Sequence, residues 1–408
     1  MFPGVYIAEA PGGIQPISGV NTSETAFVDH FANGPINKAT RVESYAEFLQ
    51  IFGVRDTDGA PDALIALDPR SEASYALEQY FLNGGSVAWV VRVASDHDQQ
   101  SPEWTDGEGA DAILGRGGEG AGIYALRQTG FSILCLPAAA YLSPSSLKVV
   151  YDEAMTFCNE EKAFLIVDIP PAVKTAEEMR SWLDTSNPNA IKRDKNGAVY
   201  FPRLIVSDQI NQVEPRNIGS SGTMAGVYAR TDAQRGIWKA PAGTDATLNA
   251  VRLASNPTDS ENGALNSLGI NVLRQFPPVG PVSWGARTLS GADDLGSEWK
   301  YIPVRRTALY VERSIHEGTG WTVTEQNDEA LWGKVRLNVG AFMQDLFLKG
   351  AFQGKSPREG YFVKCDSETM SQNDISLGVL NIVVGFASLK PAEFVIIKIQ
   401  KVVAHIDP

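Results

Sequence analysis

The sequence predicts an α/β protein, α+β when taken whole, and three observations carry that expectation. Between residues 123 and 297, continuous apolar strand signals such as Phe131–Leu136 and Ala163–Asp168 alternate with helix signals such as Ser145–Asn159. Strands that are apolar at consecutive positions are buried on both faces, which indicates a mainly parallel sheet between helix layers. From Asp328 to Ala404 the order changes to one long amphipathic helix followed by three β-rich runs. Finally, the chain finishes on Phe394-Val395-Ile396-Ile397-Lys398-Ile399, a strand that needs a sheet to join.

At 408 residues, 43% of them hydrophobic and 20% charged, the chain has the makings of two or three ordinary globular domains. Its formal net charge of −13, from 48 acidic and 35 basic residues, opposes nucleic-acid binding, which needs a basic surface. An acidic surface also keeps unassembled copies apart. No apolar run reaches membrane-spanning length, and the N-terminus lacks the basic and apolar regions of a signal peptide. Cys135, Cys158 and Cys365 lack metal-ligand spacing and read as reduced core thiols in a protein made in the cytoplasm. Neither a cofactor nor a metal is expected.

Taken in order, Val5–Glu9 (Val5, Tyr6, Ile7, Ala8, Glu9) is a short strand signal between Pro3-Gly4 and Pro11-Gly12-Gly13. A strand followed by flexible punctuation, continuing through Pro16 and Gly19, reads as an arm and its linker, with a strand folding back on its own domain as the alternative. Thr25–Phe31 is a strand, and Ser44-Tyr45-Ala46-Glu47 opens a short helix as a capping box. Residues 54–70 read as a loop, Ser71–Asn83 as a helix, and Val87–Val93 as a strand entered through Gly84-Gly85. The Gly-, Asp- and Glu-rich span from Ala94 to Gly122 has little apolar periodicity and reads as a loop.

Within the alternating region, Thr175-Ala176-Glu177-Glu178 is a second capping box, and Gly222–Arg230 is a Gly-rich helical stretch. Ala198–Val206, Leu248–Leu253, Asn271–Gln275 and Val282–Arg287 read as strands. Pro303 starts a helix that stops at Gly318, and Trp321–Thr324 reads as a short strand. Asn327 is placed to cap the long helix, whose apolar residues Leu331, Val335, Val339, Phe342 and Leu346 share one face. Tyr361–Cys365, Gly378–Phe386 and Glu393–Val403 are the three strands that follow.

Several of these segments resemble contractile tail sheath proteins, the family that sheathes myophage tails, R-type tailocins and extracellular contractile injection systems. The resemblance rests on Leu377-Gly378-Val379-Leu380-Asn381, on Leu389-Lys390-Pro391-Ala392-Glu393-Phe394-Val395-Ile396 and on Arg305-Arg306-Thr307-Ala308-Leu309-Tyr310-Val311-Glu312. Asn327–Trp332, Pro3-Gly4-Val5-Tyr6-Ile7, Tyr80–Val93 and Arg235–Gly243 extend it over nearly the whole chain.

The resemblance implies an inactive, subtilisin-like α/β domain over residues 21–297, lying outermost. An inner α+β sheath domain combines an N-terminal arm (residues 1–20) with residues 298–390 and a C-terminal strand arm (391–408). It further implies a helical homopolymer of stacked hexameric rings, a lattice that sheath paralogues can share, around an inner tube protein. Baseplate and terminator proteins are the other implied partners. The arms would complete sheets in neighbouring copies. The exposed side of the long helix, with Lys334, Arg336, Asp345 and Lys349, becomes the candidate tube-facing surface. Neither direct nucleic-acid binding nor membrane insertion is implied, and the particle would assemble in a bacterial cytoplasm and could then be released.

Catalytic alternatives are weak. Ser220-Ser221-Gly222-Thr223-Met224-Ala225-Gly226 resembles the Gly-Thr-Ser-Met-Ala nucleophile segment of subtilisin-type proteases. Here Thr223 runs straight into Met224, so the nucleophilic serine is missing. Of the four histidines, His30, His97, His316 and His405, none sits in a recognisable base motif. Gly115–Gly120 lacks the preceding strand and following Lys-Ser/Thr of a phosphate loop. Asp168 and Trp238 read as a strand-end cap and a packing anchor. A degenerate α/β hydrolase and another shell or baseplate component remain as alternatives.

Overall fold

The computed structural model describes residues 15–55, 65–93, 106–116, 118–207, 215–389 and 394–402. It divides into two compact units, Asn21–Thr307 and a second made from Met1–Val20 with Ala308–Pro408.

The strands of the larger unit are β1 (Thr25–Asp29), β2 (Thr40–Val42), β3 (Val54–Arg55), β4 (Ile65–Ala66), β5 (Ala88–Arg92), β6 (Ile133–Cys135) and β7 (Phe164–Val167). They continue with β8 (Gly197–Phe201), β9 (Leu204–Val206), β10 (Arg216–Ile218), β11 (Arg252–Leu253), β12 (Asn271–Phe276) and β13 (Gly280–Ser283). Between them lie helices α1 (Tyr45–Phe52), α2 (Glu72–Leu82), α3 (Asp106–Leu114), α4 (Pro144–Glu160), α5 (Ala176–Trp182), α6 (Ser221–Arg235) and α7 (Asp259–Ser267). Eight strands form one sheet in the order β13-β12-β8-β7-β6-β1-β5-β2. The six from β12 to β5 are parallel, and β13 and β2 close the edges antiparallel.

Both faces of this sheet are covered, which is why its central strands, such as Ile133–Cys135 and Phe164–Val167, are apolar at consecutive positions. Ala26, Val28, Leu134, Leu165, Val167 and Val199 pack with Ile113 of α3 and with Leu147, Val150 and Cys158 of α4. The alternate residues face α2 and α6. Phe27 meets Tyr80 edge-on at 5.7 Å between ring centroids, and the Tyr200 and Tyr228 hydroxyls lie 2.7 Å apart.

Some local expectations need correction. The span from Ala94 to Gly122 is not all loop, because α3 occupies Asp106–Leu114 and buries Ile113 and Leu114 in the core. Its Gly and Asp residues mask the helical period, and tertiary burial decides. Helix α7 adds to the expected elements, opened by the complete capping box of Thr258-Asp259-Ser260-Glu261. The Ala198–Val206 run is two strands, broken at Pro202-Arg203, and only Arg252–Leu253 of the run expected at Leu248–Leu253 is extended. The run expected at Val282–Arg287 begins earlier and ends at Ser283. Residues 54–70 contain the two-residue strands β3 and β4.

The division between units falls inside α8 (Ile302–Gly318). The smaller unit continues with α9 (Glu329–Leu348), α10 (Pro357–Gly360), β14 (Tyr361–Lys364), α11 (Gln372–Ser376), β15 (Val379–Ala387) and β16 (Phe394–Val402). Its sheet is antiparallel in the order β14-β15-β16. Leu331, Val335, Val339, Phe342 and Leu346 of α9 are all buried, as their spacing requires. The cap is Asp328 rather than Asn327. Asp328 accepts the Leu331 amide at 2.9 Å, while Asn327 accepts the Trp332 indole N–H at 2.8 Å. The expected strand at Trp321–Thr324 is a 3-10 turn, Gly320–Thr324.

Residues 15–20 lie along α8 and α9 within the same unit. The Gln15 amide donates to Asn338 Oδ1 (3.2 Å), the Val20 amide donates to Ser314 Oγ (3.1 Å), and Ile17 is buried. Gly19 passes so close to Tyr310 that a Cβ there would fall 1.9 Å from the hydroxyl. The expectation of a free linker as far as Gly19 therefore fails from Gln15 onward.

Candidate functional site

The C-terminal edge of a parallel sheet is where α/β proteins place their sites, and two buried carboxylates sit there. Asp29 ends β1 and accepts the Ala73 amide (2.6 Å), the His30 amide (2.7 Å) and the Ser71 hydroxyl (3.3 Å). Burial raises its pKa to about 7, against the opposing pull of those hydrogen bonds. Asp168 follows β7 and accepts the Ser221 amide at 2.8 Å and the Ser221 hydroxyl. Burial raises its pKa as well, while the bonds from Ser221 oppose the rise. Each carboxylate thus fastens the sheet to a helix N-terminus, Asp29 to α2 and Asp168 to α6, where exposed amides favour negative charge.

This arrangement is closed to substrate. Ser221 is wholly buried and its hydroxyl hydrogen is committed to Asp168. A Cβ on Gly219 would fall 2.3 Å from the Asp168 carboxyl carbon, so the loop lies directly on the carboxylate. Tyr151 seals the base by donating to the Asp168 carbonyl at 3.2 Å. The Gly-rich motif has a packing role instead. A Cβ on Gly222 would meet the Ala76 carbonyl oxygen at 2.1 Å, and one on Gly226 would meet the Tyr80 carbonyl oxygen at 2.5 Å. Glycines four apart let α6 cross α2 backbone to backbone. That i, i+4 pair was visible in the sequence beside the more conspicuous serines.

The other candidate is the terminal sheet. Val5–Glu9 and Pro11-Gly12-Gly13 lie outside the described residues, as do His97 and His405. Phe394–Ile399 (Phe394, Val395, Ile396, Ile397, Lys398, Ile399) falls in β16, paired with β15 of the same chain from Ala387↔Phe394 to Val379↔Val402. Ile397 and Ile399 point into the unit, whereas Ile396 (60% exposed) and Val402 (69%) face outward. The next inward position is Lys401, only 8% exposed, opposite Leu380. Burial lowers its pKa, and no ion-pair partner for it occurs among the described residues. An inward-pointing charge is a device by which edge strands are kept from permanent pairing.

The four charged residues expected on the exposed face of α9 do not form one kind of surface. Lys334 lies 3.7 Å from Glu325, both half-exposed, and Lys349 pairs with Asp345 at 2.7 Å in the open. Arg336 instead donates to the Cys365 carbonyl at the end of β14 and to Glu329 (2.8 Å). Arg336 is therefore a brace between α9 and the sheet. Cys135, Cys158 and Cys365 are free thiols, all buried. Among the described residues no cluster suits a metal ion, and no helix is long and apolar enough to cross a membrane.

Residues 294–401 match the family described as phage tail sheath C-terminal domain. A putative prophage major tail sheath protein of Pseudomonas aeruginosa (strain UCBPP-PA14) is 25% identical over 235 residues. That match spans 53% of this chain and 57% of the relative's length. Among solved structures, the sheath complex of an extracellular contractile injection system (PVC) in its contracted state is similar at a TM-score of 0.69 and 25% identity. It covers 97% of this chain and 96% of its own. The helical sheath of the anti-feeding prophage (AFP), also contracted, gives a TM-score of 0.66 at 29% identity over 97% and 98% of the two chains. The C-terminal quarter of the chain thus matches the phage tail sheath C-terminal domain, and nearly its whole length is similar in structure to the sheath proteins of contractile injection systems.

Proposed function

We propose that the protein is the structural subunit of a contractile sheath, which polymerises helically around an inner tube and contracts to drive that tube through a target envelope. The observation that carries this reading is the edge strand β16, seated on its own sheet with a lysine turned inward that has no ion-pair partner among the described residues. A strand seated this way can leave for the equivalent place on a neighbour, where the same nine residue pairs are available. Val5–Glu9 of another copy would then extend the sheet at its edge. Each backbone hydrogen bond nets only about 1 kcal/mol, so the links hold because they repeat along the polymer.

In this reading the strands act as hinges while the bodies repack from an extended lattice to a contracted one. The exposed charges at Lys334, Asp345 and Lys349 face the tube protein, and the ends of the polymer meet baseplate and terminator proteins. The buried Asp168–Ser221 pair supports a subunit without turnover. Assembly takes place in the bacterial cytoplasm, as part of a virion or tail-like particle.

The test uses the register of β15 and β16. Val383 and Lys398 lie opposite one another, on the outward side of the sheet. A Val383→Cys, Lys398→Cys variant, oxidised after assembly, should give ladders of cross-linked chains on denaturing gels alongside tubes in electron micrographs. Tubes whose subunits all run as single chains would mean that β16 stays at home, and absence of tubes from the parent protein would sink the sheath reading itself.

A further inference from the structure

The larger unit has a cavity of about 330 Å³ beside the last turns of α6 and the segment that follows, lined by Arg230, Thr231, Gln234, Arg235, Lys239 and Asp245 among others. Three of those side chains are cations and one is a carboxylate, a local reversal of sign in a chain of net charge −13.

The cations are not equally satisfied. Arg235 reaches Asp245 at 3.3 Å on the exposed rim. Arg230 is fixed by neutral oxygens, donating to Asn83 O (3.0 Å), Thr247 O (2.6 Å) and, more weakly, Thr247 Oγ1 (3.5 Å). Partial burial lowers its pKa, with no carboxylate offsetting the loss of solvation. Lys239 has no ion-pair partner among the described residues. A half-buried guanidinium without a counter-ion costs free energy that an incoming anion would return. The guanidinium is already oriented by its two carbonyl bonds, so it loses little freedom when it binds. The ammonium of Lys239 and the guanidinium of Arg235 would complete a three-point clamp on a carboxylate.

We propose that this cavity is an anion site that receives a carboxylate side chain from a second copy of the chain. The proposal rests on the sheath reading, which supplies the second copy. Charge complementarity supports it, because with 48 acidic against 35 basic residues a copy presents carboxylates over much of its surface.

The experiment compares the parent with a charge-reversed variant, Arg235→Glu with Lys239→Glu, and a neutral one, Arg235→Gln with Lys239→Gln. Arg230 is left intact because it braces Asn83 and Thr247. Polymer is measured by sedimentation and electron microscopy over a salt series, and fold by the thermal melt of unassembled protein. The expected result is at least a tenfold fall in polymer for the reversed variant and a smaller fall for the neutral one, both with parental melts. Citrate and inorganic phosphate, titrated into unassembled parent protein, provide the second arm and should inhibit assembly in the millimolar range. Parental polymer yield from both variants at every salt concentration would overturn the site. So would citrate or phosphate binding that depends on Lys239 while both variants assemble normally, since the ligand would then be a free anion. A parent that forms no polymer removes the sheath reading and this site with it.

Discussion

Ser221 and Asp168 hold each other, the serine donating through both its amide and its hydroxyl to one fully buried carboxylate. A helix start that resembles a protease nucleophile segment is therefore a clamp between sheet and helix.

Replacing Ser221 with Ala should lower stability by about 1–3 kcal/mol, because a buried carboxylate loses a donor. Ser220→Ala should do much less, since no side-chain cap bond runs from it. The Asp168 carboxyl titrates above its ordinary value when folded. Its contribution is therefore fully present below the unfolded value and declines as pH rises through the folded one. Removing the Ser221 bonds, which oppose that rise, should make the decline steeper. Urea melts at several pH values read this out, and neither serine should take up an active-site serine reagent.

Gly222→Ala should be among the most damaging small substitutions in the chain, costing several kcal/mol, because the new Cβ meets a carbonyl oxygen of α2 at 2.1 Å. Gly263→Ala in α7 is the matched control. Nothing lies within 4 Å of that position, so gaining a helix former should stabilise by about 0.5–1 kcal/mol. Opposite shifts in the melting temperature are the expected outcome; equal shifts would show that the close crossing of α2 and α6 is not what the glycine serves.

Lys401→Met should strengthen the seat of β16 by about 1–3 kcal/mol, the cost of a buried polar group without a partner. If β16 must leave its own sheet for assembly, the same variant should form tubes more slowly than the parent. Raising the pH should mimic the substitution, because a lysine whose folded pKa is lowered disfavours the seat while charged. That penalty disappears as pH rises from the folded value towards the ordinary 10.5. Amide exchange along Phe394–Val402 would report both effects.

Lys334→Glu and Arg336→Glu should behave differently although the residues are two apart. Lys334 is exposed with a loose ion pair, so its reversal should change stability by no more than about 0.5 kcal/mol. Arg336 ties α9 to the Cys365 carbonyl, so its reversal should cost about 1–3 kcal/mol before any tube is present. Lost sheathing in Lys334→Glu with an unchanged melt would then mark a tube contact; lost sheathing in Arg336→Glu would first report a damaged fold.

Periodicity and end signals were enough to place the long helix α9, the three strands after it and the parallel layers between α4 and α6. The face of a helix or strand is fixed by local spacing, so Leu331 to Leu346 could be assigned to the core from the sequence alone. Segments whose structure is set by distant partners could not be placed in this way. Helix α3 forms in a Gly- and Asp-rich span because Ile113 and Leu114 find a core supplied elsewhere. Residues 15–20 look like linker until Asn338 and Ser314, some three hundred positions away, supply their hydrogen-bond acceptors. The same holds for the candidate sites. The sequence presented Ser221, Asp168 and Arg336 as residue types in suggestive places, whereas Lys401 was one polar position within a strand signal. Only the tertiary structure decided that the first two seal a crossing, the third braces a sheet and Lys401 is buried with no counter-ion among the described residues, because burial and partner choice are properties of the packed chain.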